Sequence, residues 1–249
     1  MSEQHTTTHN PLVFIHGSGD SGRVWRFQVE HFGSQRAFAL DLPGHGQRPD
    51  TLPAEVTVQE YTQAAYDTVA QELHLQKPII VGHSLGGAVA LTMALEHESE
   101  LGGIILIGTG ARLRILPAIL ADAKNTPEDA RLRLSQMAVA TTTAPSVSQA
   151  VIQEQTTPGS HILHRDLAAC DIFDIMKRLY EIPVPTLIIC GIKDRLTPVK
   201  YSEYLHQHIA GSMLHIIPNA GHYVMREQPE AVNQAIDGWL FAAFPPSTH

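Results

Sequence analysis

The chain has 249 residues, 43% of them apolar, enough for a full hydrophobic core and too many for a disordered polymer. Its 17 Lys+Arg against 25 Asp+Glu leave a net charge of −8, a surface that repels phosphates and anionic headgroups, so neither nucleic acid nor membrane is expected as a partner. The two cysteines, Cys170 and Cys190, lie far apart without a CxxC pair, which argues against a disulfide framework or thiolate zinc site and for buried free thiols.

The first ten residues, MSEQHTTTHN, carry neither the basic start nor the apolar core of a secretory signal. No later apolar run approaches the roughly 20 residues of a membrane span, so a cytoplasmic location is expected. Strands are then predicted at 12–16 (LVFIH), 36–41 (RAFALD), 78–83 (PIIVGH), 103–107 (GIILI), 186–190 (TLIIC) and 213–217 (MLHII). Their near-continuous apolar character is what burial on both faces of a parallel sheet requires. Helical spacing of apolar residues marks 57–75, 85–97, 201–209 and 229–244, the last with Pro229 suited to a first turn. The alternation predicts an α/β fold with a mostly parallel sheet flanked by helices.

One interval breaks the alternation. Residues 111–182 contain no convincing strand, only helical stretches punctuated by Pro and Gly, and Thr126-Pro127-Glu128-Asp129 has the composition of a helix start with Thr126 as cap. The expected organisation is therefore a core domain of residues 1–110 and 183–249 with a helical cap inserted between them at 111–182. Pro183 and Pro185 close the insertion before the sheet resumes. Only about ten residues precede the first strand, which predicts about six parallel strands and a sheet edge open to self-association as a homo-oligomer.

The stretch Gly82-His83-Ser84-Leu85-Gly86 fits G-x-S-x-G between a predicted strand and a predicted helix, the context of a nucleophile elbow. Glycines are needed there because side chains two before and two after the serine would collide with neighbouring structure at so tight a turn. On these residues the chain resembles the α/β-hydrolase superfamily, and "GHSLGG" is similar to the elbow of its serine esterases. The likeness runs from about Pro11 to Phe244 and is weakest in the insertion.

The resemblance implies a triad in the order Ser, acid, His. Asp194 stands in Gly191-Ile-Lys-Asp194-Arg-Leu-Thr-Pro198, after the strand TLIIC, where open parallel sheets gather functional groups. His222 stands in Asn219-Ala-Gly-His222, similar to the family's "AGH", and is singled out of 15 histidines by that position. Such a histidine takes the Ser84 proton and returns it to the leaving group, while the acid fixes its tautomer. His16-Gly17-Ser18-Gly19 resembles the family's HGxG loop, which implies an oxyanion hole from the backbone N–H groups of Ser18 and Leu85.

His16 and His83 flank this chemistry but read as scaffold, and Asp41-Leu-Pro-Gly-His45-Gly46 reads as a turn bracing the active-site loops. The pairs His161/His164 and His206/His208 lack a third ligand, so no metal is expected, and Gly17-Ser-Gly19 lacks the continuation of a nucleotide loop, so no cofactor is expected. A serine rather than a carboxylate at the elbow favours an acyl intermediate and a small-molecule ester substrate. Lactone hydrolysis, C–C bond cleavage and a cofactor-free perhydrolase use the same triad, and a slow ligand-binding receptor the same fold. Leu116, Met137 and Phe173 are the expected pocket walls beneath an apolar roof, which predicts short to medium acyl groups.

Overall fold

The computed structural model describes residues 10–154 and 160–245. The reading of the first ten residues lies almost wholly outside them. Six strands, β1 (Leu12–Ile15), β2 (Ala37–Leu40), β3 (Ile79–His83), β4 (Gly103–Ile107), β5 (Thr186–Gly191) and β6 (Met213–Ile217), pair in parallel throughout in the order β2-β1-β3-β4-β5-β6. The α/β-hydrolase architecture expected from the sequence is thus present, with each strand within a residue or two of its predicted position.

Alternation along each strand builds two cores. Val13 and Ile15, with Ile80, Leu106 and Ile188, face one side, packed by α2 (Val58–Asp67), α3 (Leu85–Glu96) and α8 (Val199–His208). Leu12 and Phe14, with Ile79, Val81, Ile105 and Ile189, face the other, where α10 (Pro229–Ala243) places Val232, Ile236 and Trp239. Because successive side chains on a strand point to opposite faces, an unbroken aliphatic run such as LVFI is the pattern for a strand covered on both sides.

Several elements differ from expectation. The predicted helix at 57–75 is α2 followed by a wider π turn at Thr68–Glu72. A 3-10 turn (Gly22–Trp25), α1 (Arg26–Phe32) and the single-turn α9 (Val224–Glu227) were not foreseen, being too short for a periodic signal. Between β4 and β5 run α4 (Pro117–Asn125), α5 (Pro127–Ala138), α6 (Pro145–Glu154) and α7 (Ser160–Ile172). Thr126 precedes α5 but its hydroxyl donates back to the Asp122 carbonyl at 3.4 Å instead of capping the helix, leaving Glu128 and Asp129 to face the amino-terminal dipole.

Ile119, Ala123, Ala130, Leu163 and Leu167 form a small core of their own among α4, α5 and α7. The far end of α7 sends Ala169, Cys170 and Phe173 into the core of the sheet. That segment is therefore fastened at α7.

In the strand order, β1 is flanked by β2 on one side and β3 on the other, so the chain turns opposite ways after β1 and β2. Crevices outside the carboxyl ends of strands at such a reversal are where open α/β sheets bind ligands. The loops bearing Ser18 and Ser84 leave β1 and β3 at that crevice.

Candidate active site

Ser84 has φ +52° and ψ −113°, a region an L-residue avoids unless its surroundings impose it. They do so through its backbone: Ser84 N–H donates to Ile107 O at 3.1 Å, while its carbonyl accepts from Gly87 N at 2.9 Å, Ala88 N at 3.2 Å and Thr109 Oγ1 at 2.8 Å. The glycines leave the space for this. A Cβ at Gly82 would stand 2.1 Å from Gly86 O, and one at Gly86 would stand 2.3 Å from Ile15 O. Gly86→Ala is expected to lose about 1–3 kcal/mol from this overpacking against backbone, checked by urea denaturation, with kcat falling as the serine is displaced.

Asp194 follows β5, and its carboxylate is saturated. Oδ1 accepts from the Leu196 and Thr197 amides at 2.9 and 2.8 Å; Oδ2 accepts from Thr197 Oγ1 at 2.8 Å and from His222 Nδ1 at 2.8 Å. Burial alone would raise its pKa, but the His222 ring and the Thr197 amide and hydroxyl outweigh that and hold the carboxyl below the usual range. With Nδ1 donating to Asp194, His222 Nε2 carries the lone pair.

The loop after β6 is held as firmly. Asn219 takes φ +58°, a conformation Asn tolerates, and His222 N–H donates to Ala138 O at 2.6 Å at the end of α5. Buried Glu227 ties the same two elements, accepting from Gly221 N at 3.0 Å on one oxygen and from Ala140 N at 2.9 Å and Thr143 Oγ1 on the other. His83 lies behind this loop. Its Nε2–H donates to the His222 carbonyl at 3.1 Å, and burial, followed by the neighbouring His222, drives its pKa well down, so it is a neutral brace. His16 is likewise neutral, pushed down to about 3 by burial and His45; it accepts from Leu42 N at 3.1 Å and donates to Gly17 O at 2.8 Å.

Ser84, His222, Ser18, Gly17 and His83 line one cavity of about 300 Å³ beneath α4, α5 and α7. Leu116 and Met137 are among its lining residues. Phe173 is not: at 7% exposure it packs into the core of the sheet just beyond α7, which turns it away from the cavity. Leu85 is buried in that core by its side chain, while its N–H is the first amide of α3, one of those a helix leaves without an internal partner.

The sequence reading missed the structure that fixes the Ser18 loop. Asp166 of α7, fully buried, accepts from Gly19 N–H at 2.8 Å, from His45 Nε2 at 2.9 Å and from Tyr61 OH at 2.5 Å. Next to it Arg165 donates to Tyr61 OH at 3.1 Å, to both oxygens of Asp50 at 2.9 and 3.0 Å and to Pro43 O at 3.2 Å. The brace expected of the Asp41–Gly46 turn is thus made through His45. A signal existed: Asp166 shares a helix face with Ile162, Ala169 and Cys170, and a carboxylate on an apolar face calls for buried donors.

Burial would lower the His45 pKa, but Asp166 reverses this and raises it, while Asp166 is held low by His45 and its other donors against the opposite pull of burial. The stability His45 contributes is full below about pH 6.5 and lost as pH rises through its folded value; that of Asp166 is present above about pH 4 and lost on acidification. The pair's contribution should therefore peak between those limits. A Tm profile in which the alkaline decline is shallower for Asp166→Asn than for wild type would bear this out.

No group of three or more His, Cys, Asp or Glu able to hold a metal occurs among the described residues. His161 faces Asp50 at 3.3 Å, His206 Nδ1 meets Ser212 Oγ at 3.0 Å and His208 Nδ1 donates to Tyr204 O at 2.8 Å. No described helix is long and apolar enough to cross a membrane. Cys170 and Cys190 are free and buried.

Residues 12–235 match the alpha/beta hydrolase family. The chain belongs to that family. Among curated relatives, it is 30% identical over 211 residues to a pimeloyl-[acyl-carrier protein] methyl ester esterase of Neisseria meningitidis serogroup C, covering 78% of each chain. Among solved structures, it superimposes on a thermophilic esterase with a TM-score of 0.83 at 36% identity, over 95% of this chain and 92% of that one. It also superimposes on Est816, described as an N-acyl homoserine lactone degrading enzyme, with a TM-score of 0.81 at 25% identity over 92% of each chain. An α/β hydrolase of esterase-like kind is what these relationships support, in agreement with the geometry of the crevice.

Proposed function

We propose that the protein is a serine hydrolase cleaving small carboxylic esters through an acyl-enzyme. The observation that carries this reading is the Asp194–His222 pair, hydrogen-bonded at 2.8 Å, with His222 and Ser84 lining one cavity. Ser84 Oγ attacks the ester carbonyl as His222 Nε2 takes its proton. The oxyanion that forms lies against the Ser18 and Leu85 amides, and His222 then protonates the departing alkoxide. Water repeats the sequence on the acyl-enzyme, with its proton passing to His222 and the carboxylic acid leaving Ser84. Asp194 stays ionised and stabilises the imidazolium.

Substrate size follows from the cavity, which at about 300 Å³ is at the small end for ligand sites. We read the α4–α7 segment as its roof, and short to medium acyl esters as its substrates. Lactones are the second reading, favoured by the likeness to the lactone-degrading enzyme, because an internal ester presents the same carbonyl.

The test is the release of p-nitrophenol from p-nitrophenyl acetate. A burst equal to the enzyme concentration in wild type, absent in Ser84→Ala, is expected; equal slow release by both proteins overturns the proposal. Across p-nitrophenyl esters, kcat/KM should peak at short to medium acyl length and drop for long chains, and a maximum on long-chain emulsions would remove the roof from the account.

A further inference from the structure

The lining of the cavity is divided by exposure. Away from His83, Thr197 and His222, its buried part carries the apolar Ile119, Leu163 and Leu167. Its outer part carries Arg114, Arg195 and Lys200, all exposed, and the half-buried Arg131. No Asp or Glu lines the cavity among the described residues. In a chain of net charge −8, four cations around one opening are not a by-product of a basic surface.

These cations differ in how far their charge is already answered. Arg131 pairs with Glu128 at 3.2 Å, a residue whose side chain is itself 79% exposed. Arg195 donates to the Met137 and Gln136 carbonyls and Arg114 to the Asp171 carbonyl, so both are held in place by backbone oxygens, while the Asp171 carboxylate accepts from the Ile115 amide at 2.9 Å. Lys200 sits 5.9 Å above its neighbour Tyr201's ring. A fixed guanidinium meets a carboxylate at less entropic loss than a free one.

Resting on the ester-hydrolase reading, we infer that the substrates are amphiphilic esters bearing an anionic group remote from the reacting carbonyl. The apolar stretch beside the ester occupies the buried part of the cavity, and the anion reaches the cationic rim. The rim also concentrates such substrates against the repulsion of an otherwise acidic surface. The anion belongs to either the acyl or the alcohol side, and one ester of each kind tells the two apart.

The experiment compares monomethyl adipate, with its carboxylate on the acyl side, and 5-acetoxypentanoate, with its carboxylate four methylenes away on the alcohol side, against uncharged methyl hexanoate. Binding is read by NMR titration of Ser84→Ala, which cannot turn over, so the result stands apart from that of the burst assay. At low ionic strength at least one anionic ester is expected to bind about tenfold tighter than methyl hexanoate, the sum of two or three exposed charge pairs. The ratio should collapse toward one in high salt and in the Arg114→Gln/Lys200→Gln background. Arg178→Gln, which removes one exposed positive charge outside the cavity, should leave it unchanged. A ratio near one for both anionic esters at low salt overturns the inference, as does a preference that survives high salt and the double substitution. Turnover of methyl hexanoate without any anionic preference would leave the ester hydrolase standing and the inference fallen.

Discussion

Replacing Ser84 by alanine is expected to lower kcat for ester hydrolysis about a million-fold, and His222→Ala to lower it by a similar factor. Neither change should raise KM much, because the cavity walls remain. In the proposed mechanism the two groups act in one event: without the hydroxyl no acyl-enzyme forms, and without the imidazole the hydroxyl keeps its proton. The double variant should therefore be no slower than the worse single variant, whereas independent contributions would multiply. Asp194→Asn is expected to lose about ten-thousand-fold, since an amide facing Nδ1 selects the wrong tautomer. Single-turnover rates on p-nitrophenyl butyrate with active-site titration check all three. Additive losses in the double variant would dissolve the common mechanism.

The second large effect is on stability. Asp166→Ala is expected to destabilise the fold by about 3–5 kcal/mol, because it leaves a buried His45 with no carboxylate beside it and strips the Tyr61 hydroxyl and the Gly19 amide of their acceptor. The loss should appear in the urea midpoint with an unchanged slope. Activity should fall too, since Gly19 follows Ser18 directly and a loosened loop misplaces the amide that the proposed mechanism sets against the oxyanion. Tyr61→Phe provides the comparison, removing one donor to Asp166 while the Gly19 bond stays; it should lose stability with far less loss of kcat.

The sheet was legible because its strands are buried on both faces, and unbroken runs such as IIVGH and GIILI have few other uses. The elbow was legible for a steric reason: Gly82 and Gly86 face backbone oxygens at distances no side chain could occupy, so the motif is written into the chain. Asp194 and His222 could be placed because each follows a strand in a short loop. What stayed hidden depends on contacts between distant segments. Phe173 has the composition of a pocket wall, yet the direction of the chain after α7 turns it into the core. Asp166 reads as one of many surface acids until Gly19, 147 positions away, is seen to need it. Arg195 and Lys200 lie close to Asp194 in sequence, but their gathering with Arg114 and Arg131 exists only once α5 folds over the opening.

Strands β4 and β5 are neighbours in the sheet although the whole run from α4 to α7 lies between them. The entropy of closing a loop rises only with the logarithm of its length, about 0.6 kcal/mol per doubling. Lengthening or shortening that excursion therefore barely disturbs the pairing of the two strands. Freedom to vary is not uniform along it, because Arg165 and Asp166 pin α7 and the end of α5 holds the His222 loop through the Ala138 carbonyl and the Ala140 amide, whereas α4 makes neither tie. Grafting of new substrate preferences should accordingly succeed by exchanging α4 with its flanking turns and fail when the exchange takes in the end of α5 or extends through α7.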